Sequence, residues 1–370
     1  FTIVFNLSYA DDNFLYALTN PGAMPCDEEF FNLTNGKYGL DAKYLLCNGP
    51  FHVSKWTEKT SVKLAKNNEY NGESSVSPSS VTFYINNDDS EVADKMNSVT
   101  YDVAFLSSSQ FSSIENKKDL NSVAVQNVTY SFIFNQNDNN YRNKNMRLAF
   151  CRSCDTSSLF DSQSDISKAD GIVPPSCKIG GEDYRNGNAA ELLSYDETLA
   201  KKNFNDALLE LGSSSVETTI LCTEQYEPFV KQMVQKLQKT LGVKFVSTVK
   251  VVSESDLEAA VNDGNYSVAF YPFKAKSSFA GEIIEGFDQN NIFGYESDVL
   301  SQKIRNIKNN SGSLEGERSA VADAENYLVS EAVIMPVFYE NSYFVTSKKT
   351  SGIYFYSSAD NVCFINAKKS

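Results

Sequence analysis

Two hydrophobic rhythms run along the chain, one helical and one alternating. Phe229, Val230, Met233, Val234, Leu237 and Leu241 fall on one helical face, and Gly242 supplies a C-terminal stop. Asp196 is placed to cap a helix carrying Leu199, Phe204, Leu208 and Leu211, which Gly212 closes. Ala320, Val321, Ala324, Tyr327 and Leu328 mark a third helix. The run from Ala332 to Phe338 reads as a buried strand with Pro336 near its end. Clusters of Ser, Asn and Asp at residues 107–121, 136–145 and 155–170 read as loops. Residues Phe1 to Leu7 alternate like a strand entered partway, so an N-terminal portion is expected to be missing.

One pattern occurs twice. The segment Ser90–Phe105 aligns without a gap on Ser255–Phe270, with six identities: Ser90/Ser255, Asn97/Asn262, Tyr101/Tyr266, Val103/Val268, Ala104/Ala269 and Phe105/Phe270. An alternating strand precedes each copy, Val81–Ile85 and Val243–Val252, and a serine then caps a short amphipathic helix before an apolar strand. Parallel strands joined through a helix form the βαβ unit of α/β proteins. One copy in each half predicts two lobes of related topology.

Composition narrows the function. At 370 residues the chain is long enough for two cores, and 41% hydrophobic with 22% charged residues is ordinary for a folded protein. The net charge of −14 repels a phosphate backbone, which excludes nucleic acid as a natural partner. No apolar run approaches the roughly 18 residues needed to cross a bilayer. Seven cysteines cannot all pair internally, and Cys151 and Cys154 form one C-x-x-C without a matching second pair. A structural zinc normally takes four thiolate or imidazole ligands, and His52 is the single histidine. His52 sits between Phe51 and Val53 in an expected strand and reads as structural. Neither a metal nor a cofactor is expected. A G-x-S-x-G elbow, a P-loop and a G-x-G-x-x-G turn are all absent from the sequence. Asp11-Asp12 and Asp88-Asp89 lie in polar stretches and read as solvated acids. A carboxylate-pair glycosidase stays open on sequence alone, since two acids can converge in space.

Taken in order, further landmarks resemble extracellular solute-binding protein family 5, whose best-known members bind oligopeptides and dipeptides. Cys47-Asn-Gly-Pro-Phe51 followed by Trp56 is similar to that family's G-T-G-P-Y strand. Lys66-Asn-Asn-Glu-Tyr70, Tyr101-Asp-Val-Ala104, Phe134-Asn135 with Met146-Arg-Leu-Ala149, Val173-Pro-Pro175 and Tyr195-Asp196 with Ala200 resemble its later motifs. Val333–Phe338 and Gly352 resemble its C-terminal ones. The resemblance covers essentially the whole chain.

It implies an α/β, periplasmic-binding-protein-like class II fold: two lobes, each a mixed sheet flanked by helices, joined by a hinge. Residues 1–20 would be a remnant of a small N-terminal domain, 21–132 with 338–370 the first lobe, and 133–337 the second. The chain would cross between lobes near Ser131–Asn135 and Val337–Tyr339. By the same resemblance the protein captures a peptide or peptide-like solute outside a bacterial cell, as a monomer, for an ABC permease. The solute would contact Phe270, Tyr271, Phe273, Lys274, Lys276, Val173, Asn135 and Tyr339. Where the family's peptide binders carry an aspartate for the peptide's ammonium, this sequence places Lys276, which would repel it; a neighbouring carboxylate could substitute. The alternatives are an oligosaccharide or other non-peptide solute, or a ligand-sensing module without transport.

Overall fold

The computed structural model describes residues 2–8, 14–18, 21–72, 75–85, 89–156, 160, 166–274, 279–288, 291–356 and 361–370. The fold is mixed α/β, with sheets flanked by helices. The chain divides into two compact units. The larger comprises Phe1–Asp11 and Gln126–Asn341, and the smaller Asp12–Val125 and Ser342–Ser370.

In the larger unit the sheet is built from β5 (Leu120–Phe134), β6 (Ile166–Lys168), β7 (Val216–Cys222), β8 (Phe245–Val251), β9 (Val268–Lys274) and β10 (Ile334–Ser347), of which β5 and β10 continue into the smaller unit. The strand order is β8-β7-β9-β5-β10, with β6 on the far side of β10. The β7 strand runs parallel to both β8 and β9, whereas β5 runs antiparallel to β9. Along β5, Phe132 and Phe134 face one core with Phe150, Val230 and Leu237, while Ile133 faces a second with Ala269, Val261 and Leu328. Both faces are covered, so Phe132–Phe134 reads as a continuous apolar run instead of an alternating one.

Helices complete the two cores. In α4 (Glu227–Leu241), Val230, Met233, Val234, Leu237 and Leu241 are buried, the stripe the sequence predicts. Asp196 caps α3 (Glu197–Leu211) by accepting from the Leu199 N–H at 2.9 Å, and Gly212 ends it at φ 62°, a conformation costly to any residue with a Cβ. The third expected helix is α7 (Leu314–Ser330), packed against α6 (Asp298–Asn309).

The smaller unit holds a separate antiparallel sheet of β1 (Phe51–Thr57), β2 (Ser61–Lys66) and β3 (Ser80–Tyr84). Its core gathers Met96, Leu106, Ile114, Leu120 and Val345. In this unit β4 (Val103–Ser107) pairs antiparallel with Ser342–Thr346 of β10.

The repeated segment folds as helix then strand in both copies: α1 (Asp89–Asn97) with β4, and α5 (Glu254–Asn262) with β9. Ser253 caps the second helix by accepting from the Asp256 N–H at 3.1 Å. The preceding strands differ. In the second copy β8 and β9 belong to one sheet, both parallel to β7, but in the first copy β3 pairs with β2 and not with β4. The βαβ expectation therefore holds for the second copy alone.

Other expectations are corrected. The strand expected to end at Phe338 continues to Ser347. The 107–121 stretch contains the helix Ser108–Ser113, because Ser107 and Gln110 form a reciprocal capping box. Residues 136–145 hold the short helix Asn139–Arg142, capped by Asp138, and the first residues of α2 (Lys144–Ser153). The 155–170 stretch includes β6, with much of the remainder outside the described residues. Asp11, Asp12 and Asp88 also lie outside them.

Candidate functional site

Register along β5 and β9 sorts the aromatic candidates. Phe270 stands opposite Phe132, Tyr271 opposite Ser131, Phe273 opposite Thr129 and Lys274 opposite Val128. Side chains alternate across a sheet, so Phe270 and Tyr271 point to opposite faces. Phe270 is 1% exposed and packs among Phe132, Phe229, Tyr130 and Phe338, with ring centroids 4.9, 5.4, 5.5 and 5.6 Å away. It is a core residue. Tyr271 and Phe273 are half-buried on the other face, edge to face at 5.5 Å, and Phe273 also stacks on Phe293 at 5.7 Å. Burial raises the Tyr271 hydroxyl above its ordinary range. Lys274, at the strand's end, is exposed, and Lys276 lies outside the described residues.

The face that carries Phe270 leads to two charges. The rings of Tyr130, Phe270 and Phe338 touch there. Lys274 is in step with Phe270, and Glu340 with Phe338, so both lie on this face. Glu340 Oε1 accepts from the Tyr226 hydroxyl at 2.6 Å. Burial, then the neighbouring Tyr130 and Glu340, raise that hydroxyl far above its ordinary range, so it stays a donor.

Val173 and Tyr339 belong to a buried polar cluster that the sequence did not reveal. Glu325 of α7, 1% exposed, accepts through Oε1 from the N–H groups of Ile172 at 2.7 Å and Val173 at 2.9 Å. Its Oε2 accepts from the Tyr184 hydroxyl at 3.0 Å and Arg185 Nη1 at 2.9 Å, while Arg185 Nη2 pairs with Oε1. Arg185 Nε donates to the Val173 carbonyl at 2.7 Å. Desolvation opposes the guanidinium charge, but Glu325's charge and hydrogen bonds more than offset it, and its pKa stays raised. The Tyr339 hydroxyl lies 3.3 Å from the carbonyls of Gly171 and Val173 and accepts from the Asp170 N–H at 3.1 Å. A Cβ on Gly171 would collide with the Arg185 guanidinium and the Glu325 carboxylate, so the loop needs glycine there. A carboxylate so saturated with donors holds structure.

Asn135 is likewise committed internally. Its Nδ2 donates to the carbonyls of Gly264 at 2.8 Å and Tyr266 at 2.7 Å, and its Oδ1 accepts from the Asn137 N–H at 3.0 Å. At the other end of this unit's stretch of β5, Gln126 Nε2 donates to Ser167 Oγ at 2.8 Å and to Asn341 Oδ1 at 2.6 Å. Sequence reasoning missed Gln126, Arg185, Glu325, Glu340 and Asn341. Only Glu325 left a trace, a carboxylate between Val321, Ala324 and Leu328 on an apolar helical stripe.

A cavity of about 370 Å³ lies elsewhere in the larger unit, lined among others by Cys151, Cys154, Lys168, Tyr195 and Met335. Its walls mix apolar and polar groups.

Comparison with known proteins adds a family match, one relative and three solved structures. The family described as "Bacterial extracellular solute-binding proteins, family 5 Middle" matches residues 1–293. The dipeptide-binding protein DppE of Bacillus subtilis (strain 168) is 23% identical over 360 residues, covering 95% of this chain and 65% of that protein. Among solved structures, the substrate-binding domain of an oligopeptide ABC transporter from Bacillus anthracis str. Ames superposes with a TM-score of 0.75 at 18% identity, over 98% of this chain and 73% of that one. Peptide-bound OppA of Listeria monocytogenes gives 0.74 at 21% identity, over 98% and 72%. The dipeptide-binding protein of Pseudoalteromonas sp. SM9913, in complex with Met-Leu, gives 0.75 at 16% identity, over 99% and 73%. The fold is thus that of the periplasmic-binding-protein-like solute-binding proteins, and the chain spans about two thirds of its curated relative's length.

Proposed function

This chain belongs to the bacterial extracellular solute-binding proteins of family 5, and from that premise we propose that it captures a peptide or peptide-like solute and delivers it, chemically unaltered, to an ABC permease. The family match over residues 1–293 is the observation that carries this reading. The names of the relatives, a dipeptide-binding protein and peptide-bound transport components, favour peptide over oligosaccharide.

The geometry supports a division of labour among the candidate residues. Tyr271 and Phe273 lie on the sheet face opposite Lys274 and Glu340, packed with Phe293, and so act on the site only through the strand they hold. Lys274 and Glu340 put opposite charges on one sheet face, which suits a solute bearing both a carboxylate and an ammonium. Glu340 is then the carboxylate that takes the ammonium where the family's usual aspartate is replaced. Val173, Tyr339 and Asn135 act indirectly, by fixing the loop and strand ends that border the site. Lobe closure about β5 and β10 would complete capture.

A thermal-shift panel tests this reading. The chain is heated with tripeptides, N-acetylated tripeptides, maltooligosaccharides and dicarboxylates. Selective stabilisation by peptides supports it; stabilisation by sugars alone, or cleavage of the peptides, refutes it.

A further inference from the structure

Cys151 and Cys154 stand apart from the chain's other cysteines. Both are buried, 2% and 4% exposed, yet both line the 370 Å³ cavity. Cys151 lies in the last turn of α2, and Cys154 is its C-cap, with φ −101° and ψ 100°. On a continuing helix, Cβ atoms three residues apart already lie about 5–6 Å from one another. The turn at the cap frees Cys154 from the helical path, and a disulfide needs its Cβ atoms within ~3.5–4.5 Å. Cys177 belongs to the opposite core, and Cys222, at the end of β7, does not line the cavity.

We infer that Cys151 and Cys154 are a disulfide-forming pair, closed by exchange with a low-molecular-weight disulfide admitted through the cavity. The family is extracellular, where disulfides form and persist. One cysteine loses its proton, and its thiolate attacks a sulfur of the small disulfide, breaking that S–S bond and releasing one thiolate. The second cysteine, deprotonated in turn, attacks the mixed disulfide, forms the Cys151–Cys154 bond and expels the other thiolate. Two electrons and two protons pass from the chain to the small disulfide, which leaves as two thiols.

Burial sets the pace of this exchange. It pushes Cys151 up to about 12 against the opposing charges of Arg147 and Arg152. Cys154 is raised by burial and by Cys151, against Lys236. Lys168, Asp155 and Tyr195 also face the cavity. The thiolate fraction is therefore small near neutrality, and closure accelerates with pH.

The test uses the full chain, reduced, freed of reductant and incubated with oxidised glutathione. It is then denatured in N-ethylmaleimide and digested with trypsin, which cuts after Arg152, between the two cysteines. Peptides Leu148–Arg152 and Ser153–Lys168 should emerge joined, short of two hydrogens, and separate on reduction. The joining rate should rise about tenfold per pH unit between about pH 7 and 9. In Cys154→Ser, Cys151 should stop at its glutathione adduct. Recovery of both cysteines alkylated, or of either joined to Cys177 or Cys222, overturns the inference. So does the absence of an adduct in both Cys154→Ser and Cys151→Ser, because the cavity would then admit no disulfide.

Discussion

Gln126 and Asn341 are hydrogen-bonded to each other, Nε2 to Oδ1 at 2.6 Å, and each is the terminal residue of the larger unit where the chain passes into the smaller one. The bond joins β5 to β10 where both strands leave that unit, and the Ser167 hydroxyl, accepting from the same Nε2 at 2.8 Å, adds β6. The boundaries fall at Val125/Gln126 and Asn341/Ser342, earlier in β5 and later in β10 than the crossings expected from the sequence.

A double-mutant cycle measures the pair. Gln126→Ala should cost about 1–3 kcal/mol, since it removes two neutral hydrogen bonds at a part-buried site. Coupling to Asn341→Ala should reach about 0.5–1.5 kcal/mol in denaturant unfolding. Additive losses would mean that the contact contributes nothing beyond its separate parts.

The Glu325–Arg185 pair predicts asymmetric losses. Glu325→Ala leaves a buried guanidinium uncompensated and should destabilise the chain by about 3–5 kcal/mol. Replacing both residues by methionine should cost less than Glu325→Ala alone. Gly171→Ala, forced into the same cluster, should cost about 1–3 kcal/mol through overpacking. Chemical denaturation of the three variants checks the order.

Alkaline pH should weaken the reduced chain. Burial raises Cys151 and Cys177 from an ordinary 9.0 to about 12. Above pH 9 the unfolded chain loses these thiol protons while the folded chain keeps them, so stability falls as pH rises. The stabilisation is complete below the unfolded value and is lost as pH climbs through the folded one. Each thiol should contribute a slope of about 1.4 kcal/mol per pH unit within this window. Cys151→Ser should flatten the profile by one such share; an unchanged slope would show that Cys151 ionises alike in both states.

Much of the larger unit was legible because its elements obey one period throughout. The α4 stripe and the Asp196 and Gly212 caps needed no tertiary information. β10 was cut short at Phe338 because its apolar run gives way to Glu340, Asn341 and Ser342. That stretch passes from one unit into the other, so its burial pattern changes midway and neither period survives. The loop readings failed where Ser107 and Asp138 were caps, since the same side chains favour turns and helix starts alike. In the site, the family resemblance puts Phe270 at the solute because it aligns the strand without saying which face each side chain takes, and Phe270 packs into the core. Glu340 and Gln126 gave no signal, because a polar residue in a strand is indistinguishable by sequence from an exposed one.

Solute recognition should separate by residue. Tyr271→Ala should change peptide affinity by less than about twofold, because its ring lies on the sheet face opposite Lys274 and Glu340. Lys274→Ala and Glu340→Gln should each weaken binding of a tripeptide with both termini free. Only Glu340→Gln should leave N-acetylated peptide unaffected, because that ligand has no ammonium for the carboxylate to meet. Isothermal titration of the variants reads these differences; equal losses for both peptides in Glu340→Gln would remove Glu340 from the role of ammonium partner.

Native mass spectrometry of the chain mixed with a defined tripeptide library tests capture without chemistry most directly. The account predicts one peptide per chain, released on denaturation with its mass unchanged. Chains that hold no peptide from the library, or that return shortened ones, would contradict it.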